Sequence, residues 1–169
     1  MSQSTPNDGR ALQILPATAA DVATILGLIR ELAEFEKLQH EVSADEPSLA
    51  QALFGPRPYA ECLLARFGDE VVGFALFFHN FSTFLARPGI YLEDLYVKPE
   101  HRGRGAGEAL LRHVAKLAVE RGCGRFEWSV LDWNERAIAF YTKLGARPQS
   151  EWQIFRTSGE ALAALARDP

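Results

Sequence analysis

Residues Arg102 to Gly107 read RGRGAG and stand directly between an apolar run closed by Pro99 and a strongly periodic helical stretch. This context constrains the chain more than any other feature. The first N–H groups of a helix have no acceptor inside it, and together with the helix dipole they form an anion site. Glycines at 103, 105 and 107 let the backbone curl close to a phosphate oxygen, and Arg102 and Arg104 can add charge-assisted contacts. The same letters also suit a plain glycine-rich connection. A P-loop requires Gly-Lys-Ser/Thr at its end, whereas Gly107 is followed by Glu108 and Ala109. A dinucleotide fingerprint requires glycine three positions after Gly105, where Glu108 stands, and no early βαβ unit precedes it.

The flanking periodicity predicts the elements. Leu12 to Leu15 reads as a strand, and Thr18 with Asp21 as a capping-box helix start. Val22, Ile25, Leu26, Ile29, Leu32 and Ala33 recur at helical spacing, with Arg30, Glu31 and Glu34 turned outward. Ser43 to Phe54 reads as a second helix, stopped by Gly55 to Pro58. Tyr59 to Phe67 and Val71 to His79 form a hairpin pattern, and Ile90 to Val97 a third strand. Leu110, Leu111, Val114, Leu117 and Ala118 stripe a helix from Gly105 to Arg121, capped by Gly122. A strand over Phe126 to Leu131, a helix over Glu135 to Leu144 between Asn134 and Gly145, and a last strand over Trp152 to Arg156 complete the series. This order predicts one α/β (α+β) layer structure around a largely antiparallel sheet with a parallel or splayed centre.

At 169 residues and 47% hydrophobic content, one globular domain over 11–169 is expected, behind a polar, disordered tail over 1–10. The tail lacks an apolar run behind a basic start, so no secretory signal is expected, and the longest apolar stretches are strand-length; a soluble cytoplasmic protein with no membrane association follows. A net charge of −4 argues against nucleic acid as partner. Cys62 and Cys123 match no metal-ligand spacing and read as reduced core residues, and the four histidines form no metal set, so no metal is expected.

Four positions carry chemistry. The strand YLEDLYV holds adjacent acids, and alternation puts Glu93 on one face and Asp94 on the other; at least one must face a cavity or find a partner. Structural satisfaction at a strand end is the alternative for both, weighing more for Asp94 than for Glu93. Tyr141 is a core aromatic on spacing alone, yet its hydroxyl, with a reference pKa near ~10, suits protonation of a departing thiolate. Asn134 is first of all a helix N-cap.

RxxGxG at Arg102 to Gly107, followed by Asn134 and Tyr141, resembles the coenzyme-A-binding signature of the GNAT acetyltransferase superfamily. LIRELAEFEKL (Leu28 to Leu38), YLEDLYV, VLDWNERA (Val130 to Ala137) and YTKLGA further resemble the diamine acetyltransferases, especially the thialysine enzymes, over Ile14 to Phe155. The resemblance implies a GNAT fold, with splayed central strands in a mixed sheet flanked by helices, and acetyl transfer from acetyl-CoA to the primary amine of a small cationic substrate in a ternary complex. It implies that the backbone of Leu95, Tyr96 and Val97 pairs with the pantetheine arm, and that Arg102, Gly103, Arg104, Gly105, Ala106 and Gly107 hold the pyrophosphate. Asn134 and Lys143 are further coenzyme contacts by the same comparison. Tyr141 takes the general-acid place and Glu93 the general-base place, while Phe35, Glu36, Thr83 and Trp152 join Glu93 in the amine pocket. A homodimer is implied.

The chain also departs from the pattern. Ser82 and Thr83 stand where polyamine-specific members carry an aspartate and Phe35 replaces a tyrosine of that pocket, which disfavours spermidine; the loop before Trp152 is also shorter, which bears on the far wall of the pocket. A protein lysine or N-terminal acetyltransferase, or a non-catalytic coenzyme-A-binding module, remains as an alternative.

Overall fold

The computed structural model describes residues 11–167; the tail expected at 1–10 lies outside the described residues. The chain divides into two compact units, one running to Ser129 and the other starting at Val130.

The first unit holds a five-stranded sheet in the order β1 (Leu12–Pro16), β2 (Glu61–Phe67), β3 (Glu70–Ser82), β4 (Arg87–Val97), β5 (Phe126–Trp128). All neighbours are antiparallel except β4 and β5, which run parallel. Helices α1 (Val22–Phe35) and α2 (Glu46–Phe54) follow β1, and α3 (Ala106–Glu120) lies between β4 and β5. Ile25, Leu28 and Leu32 of α1 and Leu49 and Leu53 of α2 bury against Cys62, Leu64, Phe74, Leu76 and Tyr96. Strand alternation leaves the opposite sheet face to α3, which packs on β3 and β4 and buries Leu110, Leu111, Val114 and Ala118. Each such side chain contributes roughly 1.5–3 kcal/mol on leaving water, so the sheet is clamped from both sides. The expected stripes of α1 and α3 are therefore the core-facing ones, although Glu31 is only half-buried because it accepts from the Tyr96 hydroxyl at 3.3 Å.

Several boundaries shift for local reasons. Helix α2 starts at Glu46, not Ser43, because Asp45 caps it reciprocally with Ser48 (Ser48 N donates to Asp45 Oδ1 at 2.9 Å) and Pro47, lacking an N–H, fits only the first turn. Helix α1 ends without glycine: Lys37 takes φ 61°, and Leu38 N donates to the Ala33 carbonyl at 2.8 Å, closing a Schellman-type cap. Strand β3 extends to Ser82 and pairs with Arg87, making a long ribbon whose turn contains Ala86 at φ 49°.

The second unit contains α4 (Glu135–Lys143) and α5 (Gly159–Leu165). The strand expected over Trp152 to Arg156 is absent: this segment is irregular, and Trp152, Ile154 and Phe155 are 75–89% exposed. Alternating apolar residues make a strand only where a neighbour completes the hydrogen-bond ladder, and no described strand pairs with it.

Candidate active site

Strand β4 and the start of α3 build the anion cradle. After Val97 the chain is tied back by Lys98 N donating to the Val72 carbonyl at 2.9 Å, turns through Pro99–His101, and enters the glycine loop. Gly103 and Gly105 have φ of 76° and 85°, the left-handed region that L-residues avoid, and a Cβ on either would meet open space. Ala109 N is the first amide to reach an acceptor within the helix, the Gly105 carbonyl at 2.9 Å, so the amides of 106–108 face outward from the helix end. An open concavity over left-handed glycines, with outward amides beneath, fits a diphosphate.

The two arginines are held differently from the sequence expectation. Arg102 turns its side chain inward: Nε donates to the Val97 carbonyl at 2.8 Å, and the guanidinium lies 4.8 Å from the Phe35 ring centre and 5.6 Å from that of Tyr96. Arg104 lies 4.2 Å over the Phe67 ring with NH1 3.3 Å from His101 Nδ1. Arginine has no acceptor, so Nδ1 must accept and the imidazole proton sits on Nε2, which donates to Glu70 Oε1 at 3.1 Å. His101 and Glu70 thus fix Arg104 beside the cradle, a pairing no local sequence signal announces.

Beyond Leu92, β4 loses its outer neighbour. Parallel pairing with β5 covers only Ile90 to Leu92, and the strand expected to continue to Leu131 stops at Trp128. A β-bulge is the cause. Leu76 faces Asp94 but Phe77 faces Leu92, so Glu93 is the extra residue of β4. The outer edge of Glu93 to Val97 carries no described strand, and an extended ligand segment can add to it as a strand would; Leu95, Tyr96 and Val97 lie on this edge.

The bulge also overturns the alternation argument for the two acids. Asp94 and Tyr96 point towards α1, whereas Leu92 shares a face with Phe77, whose ring lies 5.9 Å from the Arg121 guanidinium at the end of α3. Glu93 and Asp94 consequently line one cleft of about 380 Å³ between β4, the end of α1 and the segment after it. Glu36 and Glu41 add two more carboxylates, Ile29 and Leu32 an apolar wall, and no Lys, Arg or His among the described residues lines it. Burial raises the Glu36 carboxyl above the usual range. The Asp94 carboxyl is pushed up to about 7, chiefly by burial and then by Glu93 and Glu36. Glu93 itself is exposed. Phe35, 40% exposed, precedes Glu36 at the end of α1, under Arg102.

Thr83 is not brought to this cleft. It sits in the β3–β4 turn, beyond Arg87, and the six residues from Arg87 to Glu93 span about 20 Å of strand. Cys62 is buried with its thiol pushed up to about 12 by burial, and Cys123 is half-buried; both are free.

In the second unit, Asn134 Oδ1 accepts from Ala137 N at 3.2 Å, the expected N-cap. Tyr141 is half-buried, its ring 5.3 Å from that of Phe140, and Gly145 closes α4 at φ 93° behind Lys143. Trp152 is 75% exposed.

A mixed sheet with a bulged fourth strand leading into a glycine cradle is the architecture of an acetyltransferase fold. The comparisons agree. The model of the acetyltransferase (GNAT) family matches residues 27–146, and the chain belongs to that family. It is 43% identical to the thialysine N-epsilon-acetyltransferase of Sus scrofa over 90% of this chain and 96% of that one. It is 36% identical to the L-ornithine N5-acetyltransferase of Arabidopsis thaliana, over 88% and 85% of the two chains. Among solved structures, an integron cassette protein of Vibrio cholerae superposes with a TM-score of 0.78 at 27% identity, covering 93% of this chain and 98% of that one. No helix among the described residues is long and apolar enough to cross a membrane, and no described group of His, Cys, Asp and Glu could hold a metal ion.

Proposed function

We propose that this chain transfers the acetyl group of acetyl-CoA to the terminal amine of a small cationic acceptor of the thialysine or lysine type. The observation that carries this is the acidic cleft that opens beside the bulged, ligand-accepting edge of β4. A lining whose only charged side chains among the described residues are carboxylates attracts an ammonium group, and its apolar wall suits the methylenes of a side-chain-like acceptor.

A primary ammonium with pKa near ~10.4 is neutral in only one molecule in ~2500 at pH 7, and only the neutral form attacks a thioester. Glu93 takes the proton through water. The amides of 103–107 hold the diphosphate, with Arg104 beside them, Asn134 and Lys143 add contacts, and the free edge at 95–97 aligns the pantetheine arm so that the acyl carbon meets the amine. An N–H of that edge, near Leu95, steadies the oxyanion. As the carbon–sulfur bond breaks, Tyr141 gives its proton to the departing thiolate. The buried Cys62 thiol takes no part, so transfer is direct, in a ternary complex. Phe35, Glu36 and Trp152 bound the acceptor, and the working form is a homodimer in the cytoplasm.

Free-thiol release with acetyl-CoA and a panel of thialysine, lysine, ornithine, short diamines, spermidine and aminoglycosides tests the proposal. Fastest release with the amino-acid-like acceptors is expected, and a dimeric mass by sedimentation. Release no faster than background hydrolysis across the whole panel overturns the function; faster release with peptides moves it to protein substrates.

A further inference from the structure

Glu93 and Asp94 face the acceptor cleft together only because the bulge breaks strand alternation between Leu92 and Asp94. The carboxylate of Asp94 makes no hydrogen bond or ion pair with any described side chain. Placing an acid half-buried beside Ile29 and Leu32 without a partner is costly, so a structural role does not account for it. We propose that Asp94, alongside Glu93, takes the proton from the amine nitrogen in the acceptor cleft. This rests on the acyl-transfer function above.

The groups around it define its behaviour. Glu93 stands next to it on β4, Glu36 faces it from the end of α1, and Glu41 from the following turn; all are acidic. Across the sheet, Cys62 of β2 lies in the same row through Leu76 (Cys62 pairs with Leu76, and Leu76 with Asp94), and its thiol, pushed up to about 12, stays neutral. Tyr96, two residues on, directs its hydroxyl to Glu31. No cationic side chain among the described residues lines the cleft, and burial, followed by the charges of Glu93 and Glu36, raises the Asp94 carboxyl to about 7. A carboxylate in bulk water accepts a proton from an alkylammonium against an equilibrium of ~10⁶, whereas a group near 7 faces only ~10³. In the step, R–NH₃⁺ and the Asp94 carboxylate give R–NH₂ and the carboxylic acid. The freed lone pair forms the N–C bond; as the C–S bond breaks, Tyr141 protonates the departing thiolate, the nitrogen sheds its remaining extra proton through water, which restores the Tyr141 hydroxyl, and Asp94 returns its own proton to water once the amide leaves.

The test is the pH dependence of kcat/KM for the amine in wild type, Asp94→Asn and Glu93→Gln, with acetyl-CoA affinity and melting temperature as controls. Wild type should show a limb rising through pH 7. Asp94→Asn should abolish that limb and lower kcat ~10-fold to ~100-fold, with acetyl-CoA affinity unchanged; Glu93→Gln should lower the rate but keep a limb, moved to lower pH by loss of a neighbouring charge. An Asp94→Asn profile that keeps the limb, with kcat within twofold of wild type, overturns the proposal. Carbon-13 titration of the wild-type aspartate carboxyls covers the case of a misfolded variant: one half-protonated near pH 7 supports it, and none above pH 6 overturns it. If wild type acetylates no amine, the acyl-transfer function falls, and the Asp94 proposal falls with it.

Discussion

Arg102 Nε donates to the Val97 carbonyl at 2.8 Å, five residues back along the chain, and so ties the loop holding the cradle to the end of the strand that feeds it. The guanidinium also lies 4.8 Å from the Phe35 ring centre and 5.6 Å from that of Tyr96, joining the cradle to the end of α1, where Glu36 lines the acceptor cleft. Lysine keeps the charge but cannot reproduce a planar group that stacks and donates sideways. Losing a hydrogen bond from a charged donor costs roughly 1.5–3 kcal/mol, so Arg102→Lys should melt about 3–10 °C lower and raise the KM of the amine as well as that of acetyl-CoA. Wild-type melting with only acetyl-CoA affinity reduced would mean that the charge acts on the anion and the tie is incidental.

Gly105 and Gly107 differ in what they contribute. Gly105 has φ 85° and open space where a Cβ would stand, whereas Gly107 is helical and its Cβ would make an ordinary 3.6 Å contact with Val97 Cγ2. Gly105→Ala should lose about 1–2 kcal/mol from backbone strain and at least ~10-fold in acetyl-CoA affinity, because the methyl occupies the cradle. Gly107→Ala should hold or gain up to about 1 kcal/mol of stability. Chemical denaturation and isothermal calorimetry read both, and equal behaviour of the two variants contradicts the cradle geometry.

Where neighbours in the chain decide the structure, the sequence was a sufficient guide. RGRGAG at a strand–helix junction, the stripe through Leu110 and Val114, the Asn134 cap and the Gly122 and Gly145 stops all depend on residues within one or two turns, and all are found in place. What failed depends on partners distant in sequence. The bulge at Glu93 is a property of how β4 registers with β3, so the two acids looked opposed when they share a cleft. Arg102 keeps its expected place in the cradle loop, but its ties to Val97, Phe35 and Tyr96 come from residues no local pattern announces. Trp152 to Arg156 alternates like a strand but has no ladder to join. Lys37 closes α1 with a left-handed turn usually signalled by glycine.

Tyr141→Phe separates chemistry from binding. The substitution keeps the ring that lies beside Phe140 and removes only the hydroxyl proposed to protonate the thiolate. Loss of general acid catalysis should lower kcat by ~10-fold to ~1000-fold while calorimetric affinity for acetyl-CoA changes by less than about threefold. An unchanged kcat removes the tyrosine from the mechanism.

Asp94 should also shape stability as pH changes, independently of catalysis. Its carboxyl titrates at about 7 when folded against 3.8 ordinarily. Below pH 4 both states hold the proton and the group is neutral in its effect. Between pH 4 and 7 the unfolded chain has released that proton while the folded one keeps it, so each rise in pH favours unfolding, and above 7 the full cost of an ionised, half-buried acid is present. Three pH units correspond to ~4 kcal/mol, and water in an open cleft reduces this to about 2 kcal/mol. Asp94→Asn carries no such charge. Urea denaturation of the two proteins should therefore give equal stabilities near pH 4 and a gap in favour of the asparagine variant that opens towards pH 7 and then stays constant. A gap of the opposite sign would mean that a cation reaches Asp94 and holds it ionised, which would contradict a cleft whose charged lining among the described residues is acidic.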